Sequence, residues 1–209
     1  GNIYAGFLAR SMGVPIRRLI LATNENNVLE EFFTTGIYRP RSAADTLATS
    51  SPSMDISKAS NLERFIWALL GPEAFTQRWA ELETTGALDL RDQLVRLGEE
   101  FGFVAGTSSH ADRLEAIRIV KERSGRLIDP HTADGVTVAL RTMEPGFPTL
   151  VMETAKAAKF PQTVAEALGT QPETPDVVVD LLAQPQKVET IDNEEAPLRA
   201  LIEERALTS

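Results

Sequence analysis

The chain has 209 residues, 43% of them hydrophobic, which is enough to bury a core in one large domain or two small ones. A formal net charge of −9 argues against nucleic acid as the main partner, because phosphate binding needs a basic face. With no cysteine there is no disulfide, no thiolate chemistry and no cysteine-type zinc site, and a reducing cytoplasm is the expected setting.

No apolar run approaches the roughly 20 residues of a membrane span. The chain opens on Gly1-Asn2-Ile3 with neither a signal-peptide pattern nor an initiator methionine, for which an artificial boundary or a larger parent is the simplest expectation. Residues 2–12 read as a helix, with Ile3, Phe7 and Leu8 near helical spacing, stopped by Gly13 and Pro15. Leu19-Ile20-Leu21-Ala22 suits a strand buried on both faces, as in a parallel sheet. Asn24 is then expected to cap a helix over 28–33. Helix, buried strand and helix in short order is the rhythm of an α/β domain.

Periodicity dissolves over 35–60, a stretch rich in Ser, Thr and Ala and broken by Gly36, Pro40 and Pro52. That is too long for a simple connector, so a functional loop is expected. Helical patterns return over 62–70, 72–83 and 88–101, and are read as a helical insertion at about 60–105. A short strand is expected over 101–105. Ser109 and Asp112 form a capping pattern for a helix with a Leu114, Ile117 and Val120 stripe. Another helix is expected over 131–141, a second buried core strand over 149–154, and further helices over 160–168, 176–182 and 197–207.

Candidate chemistry is sparse. Gly1-Asn2 precedes a helix, whose free N–H groups and dipole attract phosphate. Thr154 and Asn24 are expected at the carboxyl ends of buried strands, where open α/β sheets bind ligands. His131 reads as a structural hydrogen-bonder and His110 as a surface residue. Lys58, Lys121, Lys156, Lys159 and Lys187 are the only lysines; Lys156 and Lys159 follow the expected strand end, within reach of a phosphate. No metal cluster, nucleophile elbow or Walker loop is present in the sequence.

Several segments together resemble the threonine synthase family, in its order and along nearly the whole chain. Gly1-Asn2-Ile3-Tyr4-Ala5-Gly6 resembles the end of a phosphate-cradling loop and its helix. Ser11-Met12-Gly13-Val14-Pro15-Ile16 and Ala22-Thr23-Asn24-Glu25-Asn26 follow, with Asn27 close to where an aspartate is usual. Next come Thr35-Gly36-Ile37-Tyr38, Thr46-Leu47, Ser51-Pro52-Ser53-Met54-Asp55-Ile56 and Ser60-Asn61-Leu62-Glu63-Arg64. Asp129-Pro130-His131-Thr132-Ala133 and Glu153-Thr154-Ala155-Lys156-Ala157-Ala158-Lys159-Phe160 complete the series. Two departures are notable: Lys156-Ala157 replaces a His-Pro, and Asp134-Gly135 replaces a Val-Gly.

The resemblance implies an α/β, type II pyridoxal-phosphate fold: a mostly parallel sheet flanked by helices, with 1–209 as the C-terminal portion of its cofactor-binding large domain. It implies pyridoxal 5'-phosphate as cofactor and conversion of O-phosphohomoserine and water to threonine and phosphate, the final step of threonine biosynthesis. By position, Gly1 and Asn2 would bind the cofactor's phosphate end and Thr154 would face its pyridine nitrogen. Ser53, Asp55, Asn61 and Arg64 are candidates for the substrate. The family's Schiff-base lysine lies upstream of the phosphate loop, and no lysine here stands in its motif. The chain alone is therefore expected to be inactive, with the N-terminal portion of its parent as necessary partner and an apolar face left exposed. Other readings are a non-catalytic binding or assembly module, and a type II pyridoxal enzyme acting on a related phosphorylated amino acid.

Overall fold

The computed structural model describes residues 2–206, with residues 177 and 182 through their backbone alone. Gly1 and the last residue of the expected final helix lie outside the described residues. The chain divides into two compact units, Gly1–Glu173 and Thr174–Ser209.

The first unit is built on two parallel strands, β1 (Leu19–Thr23) and β4 (Phe103–Thr107), in register from Leu19 opposite Phe103 to Thr23 opposite Thr107. A second pair, β2 (Ile37–Tyr38) and β3 (Leu88–Asp89), is antiparallel. Parallel pairing needs a long crossover, here the whole stretch between β1 and β4. That crossover holds α2 (Val28–Thr35), α3 (Ser60–Leu70) and α4 (Pro72–Thr85). Before it comes α1 (Asn2–Ser11); after it come α5 (His110–Ser124), α6 (Pro130–Thr142) and α7 (Pro161–Leu168).

Side-chain alternation assigns the faces. Phe103 packs on Phe33 of α2, ring centroids 4.4 Å apart, and its neighbour Leu19 lies against Gly6 of α1. Gly106, three residues on, points the other way: a Cβ there would stand 2.9 Å from Val138 of α6. So α1 and α2 cover one face and α6 the other, as an α/β fold requires.

On the first face Phe7, Phe33, Phe65, Phe101 and Phe103 form an aromatic cluster. It merges with Leu62, Ile66, Leu69, Leu82, Leu88, Leu90 and Leu97, so residues 60–105 share one core with α1, α2 and β1. Each such side chain contributes about 1.5–3 kcal/mol by burial. A smaller core joins α5, α6 and α7 through Leu114, Ile117, Ala133 and Ala167.

Four expectations are corrected. The helix expected over 88–101 begins only at Arg91. Leu88 and Leu90 are buried at and beside a strand, where Leu90 N–H bonds back to Gly36, and residues 91–100 then wind continuously from 3-10 (Arg91–Gln93) through a short α stretch to a π-helix (Arg96–Glu100). The strand expected over 101–105 begins at Phe103, since Gly102 turns there with φ 69° against the carbonyl of Arg17. Asn27, not Asn24, sits at the cap of α2. Residues 149–154 are no buried strand: they pair with no strand among the described residues, and Leu150 is 88% exposed. An apolar run signals burial but not what provides it.

The second unit holds α8 (Asp176–Leu182) and α9 (Glu195–Ala206), with an ion pair between Arg205 and Glu189. No described helix is long and apolar enough to cross a membrane.

Candidate active site

Where β1 ends, Asn24 turns its side chain into the long loop instead of capping a helix. Its amide nitrogen donates to Thr49 Oγ1 (2.8 Å), Ser51 Oγ (3.1 Å) and Asp55 Oδ1 (2.8 Å). Asn26 bonds Leu47 through both its amide atoms and also donates to Asp55. Asp55 accepts from the Thr49 N–H and hydroxyl as well. The loop over 47–55, featureless in its periodicity, is thus folded onto the end of β1 by buried amides.

The ends of β1 and β4 meet a buried charge cluster. Arg113 of α5 is fully buried and donates to Glu25 (2.9 and 3.0 Å), Asp134 (3.1 Å) and the hydroxyl of Ser50 (2.8 Å). Burial pushes the Asp134 carboxyl up to about 6; Arg113 and the neighbouring hydroxyls of Ser51 and Ser108 oppose that only in part. Its Oδ2 has no well-formed hydrogen bond. Glu25 differs: burial raises it, but the bond from Arg113 and the N–H of His110 leave it below the usual range. His110 is half-exposed and bridges Ser50 (2.8 Å) to Glu166 (2.9 Å).

A second hub opens α6. Asp129 caps the helix, accepting from the N–H (3.0 Å) and the ring Nδ1 (2.8 Å) of His131, from the Thr132 hydroxyl and from the Ala155 N–H (3.1 Å). His131 Nε2 accepts the N–H of Ser53 at 3.0 Å. An Nε2 that accepts is unprotonated, so the ring is neutral and carries its hydrogen on Nδ1. Thr132 Oγ1 accepts the N–H of Thr154 at 2.9 Å. Burial alone would raise Asp129, but these donors hold it below its ordinary value.

Of the residues singled out from sequence, Ser53 and Thr154 are tied to this one hub. Their side chains are exposed. Asp55 lies in the same loop, its carboxylate taken up by loop donors. Asn2 opens α1, exposed, with no acidic residue in the first turn. Asn61 and Arg64 stand on α3, and Arg64 borders a surface hollow with Tyr4, Glu63, Trp67 and Phe75. Lys58 and Lys156 pair with Glu83 and Glu153. His131 is the structural hydrogen-bonder expected. The roles of Asp129, Thr132 and Arg113 were not foreseen, although Arg113, one residue before Leu114, lies on the buried stripe of α5.

Parallel strands covered by helices on both faces, with polar loops at their carboxyl ends, define part of an open α/β fold. Two solved structures share it: pyridoxal-phosphate-bound threonine synthase from Brucella melitensis (32% identity, TM-score 0.83, 97% of this chain and 43% of that one) and threonine synthase from yeast (28% identity, TM-score 0.80, 99% and 45%). Residues 132–202 match the family described as threonine synthase, C-terminal, and the threonine synthase of Methylobacillus glycogenes is 49% identical over 98% of this chain and 44% of its own length. The chain belongs to the threonine synthase family as a C-terminal portion, spanning less than half the length of these relatives.

Proposed function

We propose that the chain supplies the C-terminal part of a threonine synthase, which converts O-phosphohomoserine and water to threonine and phosphate with pyridoxal 5'-phosphate as cofactor. The observation that carries this reading is the tie of two motif segments, Ser53 and Thr154-Ala155, to one buried hub beside the ends of parallel strands. Ligands in open α/β sheets sit on that side.

The residues present suit the cofactor. A helix start leaves its first N–H groups without intrahelical partners, and the opening turn of α1 has no acidic side chain, a favourable place for its phosphate, with Asn2 beside it. Thr154 has its backbone fixed by Thr132 and its hydroxyl exposed, so it can face a ring nitrogen. A neutral hydroxyl does not compel that nitrogen to be protonated, as a carboxylate would. Bound there, the group supplies an electron sink for carbanions on the substrate.

Ser53, Asn61 and Arg64 are the side chains proposed to meet the substrate, with Asp55 shaping the loop that presents Ser53. The covalent link to the cofactor falls to a lysine of a longer protein, since none of Lys58, Lys121, Lys156, Lys159 and Lys187 stands in the family's motif. Residues 60–105 are read as an insertion of the large domain that is helical over α3 and α4 and returns to the sheet at β4, and the setting as cytoplasmic.

The test uses a full-length protein carrying these residues. The expected result is a visible aldimine band and phosphate release from O-phosphohomoserine, and neither from the 209-residue chain alone. A folded full-length protein with neither property would sink the proposal.

A further inference from the structure

We propose that Asp129 is a positioning residue that fastens the Ser53 loop and the Thr154-Ala155 segment to a single carboxylate, so that the substrate side and the cofactor side of the site are set together. The inference rests on the function proposed above; its structural half stands without it.

The geometry divides the carboxylate in two. Oδ1 takes the backbone N–H and the ring N–H of His131, and through that ring reaches Ser53. Oδ2 takes the Thr132 hydroxyl and the Ala155 N–H, and through that hydroxyl reaches Thr154. The three hub residues are at most 4% exposed, so water cannot replace these bonds cheaply. Phe160 packs edge-on against the His131 ring, centroids 4.8 Å apart, and limits its rotation. Each hub residue bonds backbone of one segment, His131 that of Ser53, Thr132 that of Thr154 and Asp129 that of Ala155. None takes up the exposed side chains of Ser53 and Thr154, and the Thr154 hydroxyl makes only a long bond to the Met152 carbonyl.

The arrangement separates into three single changes. Asp129→Ala removes both oxygens, so both arms lose their acceptors and loosen. Thr132→Val removes only the arm to Thr154. His131→Gln can still accept from Ser53 and donate to Asp129, so it serves as the conservative variant; His131→Leu removes that arm altogether.

The first readout is amide hydrogen exchange on the 209-residue chain. D129A is expected to speed exchange about tenfold or more at Ser53, Thr154 and Ala155 while β1 stays protected. T132V is expected to affect Thr154 and not Ser53, and H131Q to keep more of the Ser53 protection than H131L does. Unchanged exchange at either segment in D129A overturns the proposal. If D129A instead speeds exchange evenly over β1, T132V and H131L decide: effects confined to separate arms support the hub, and effects on both arms together overturn it.

The second readout uses the full-length protein. D129A should raise both the cofactor Kd and the substrate KM, T132V the Kd alone, and H131L the KM alone. If D129A moves only one constant, the joint positioning is wrong. If the unmodified protein binds no pyridoxal phosphate yet the exchange pattern holds, the function fails and the hub survives.

Discussion

The two faces of the parallel pair β1 and β4 are held by opposite means. Against α1, α2 and α3 stand five phenylalanines and a run of buried leucines, with Phe65 touching Phe7, Phe33, Phe101 and Phe103. Around the strand ends and α6 stand Arg113, Asp134, Asp129, His131 and Asn24, all essentially without solvent exposure, joined by hydrogen bonds. Apolar contact is non-directional and tolerates adjustment, whereas a buried polar network fixes directions and is costly when half-satisfied. The difference teaches that one side supplies stability and the other supplies placement.

Phe65→Ala breaks the first side hardest. It removes four ring contacts from a site that is fully buried, and should cost about 5 kcal/mol in urea unfolding, the upper end for such a truncation. A cost below about 2 kcal/mol would mean that the aromatic cluster is not the keystone of this face.

Arg113→Met breaks the second side by leaving two carboxylates without their cation. The expected cost is about 3 kcal/mol, at the low end for a broken buried pair. Glu25 keeps partial access to solvent, with 28% of its side chain exposed, and Asp134 can take up a proton. R113M combined with Asp134→Asn should be less destabilised than R113M alone. If it is more so, the orphaned Asp134 charge is not what hurts.

The two sides also differed in how far they could be read from sequence. The aromatic side was legible: Ile3, Phe7 and Leu8 announced α1, and the Leu-Ile-Leu run announced β1. Local chemistry was legible too, for Ser109 and Asp112 form the capping box their spacing suggests. What failed depended on partners far along the chain. Leu88, Leu90, Leu94 and Leu97 mimic helical spacing, but the bond from Leu90 to Gly36 pulls the start of that run into a strand pair. Asn24 and Asn27 are equally able to cap, but the loop over 47–55 takes up the Asn24 side chain, and Asn27 stands at the cap position with its oxygen bonded to Arg41 and no side-chain cap bond. Leu150, Val151 and Met152 read as core, yet among the described residues no strand receives them. The motif resemblance singled out Ser53 and Thr154, but nothing in the spacing shows that one carboxylate holds both.

Asp134→Asn sharpens the comparison through pH. The folded carboxyl is raised to about 6, above its unfolded value, so its contribution to stability is largest at acid pH and is lost as pH rises through that window. The loss is on the order of 3 kcal/mol at most, from a shift of about two units. Glu25 and Asp129, held low, act in the opposite sense and lose their contribution as pH falls. D134N should therefore gain on the unmodified chain between pH 4 and 7, as read by urea midpoints across that range. A constant difference at all pH values would show that Asp134 titrates normally.

The smallest effect expected is at the cap of α5, the helix that carries Arg113 into the cluster. Ser109 accepts the Asp112 N–H, and Asp112 accepts the Ser109 N–H and hydroxyl at 2.9 and 2.7 Å. Ser109→Ala removes the hydroxyl and should cost about 1 kcal/mol. It keeps the backbone N–H, the foremost cause of the low Asp112 carboxyl, and leaves the Arg141 ion pair in place. The acid side of the stability curve should then shift little in S109A but clearly in Asp112→Asn. The cap is also a separate feature from the cluster: S109A should leave the pH dependence due to Asp134 unchanged. If S109A abolishes that dependence, the start of α5 and the buried charges behave as one unit, and the division between local capping and long-range placement drawn here does not hold at this helix.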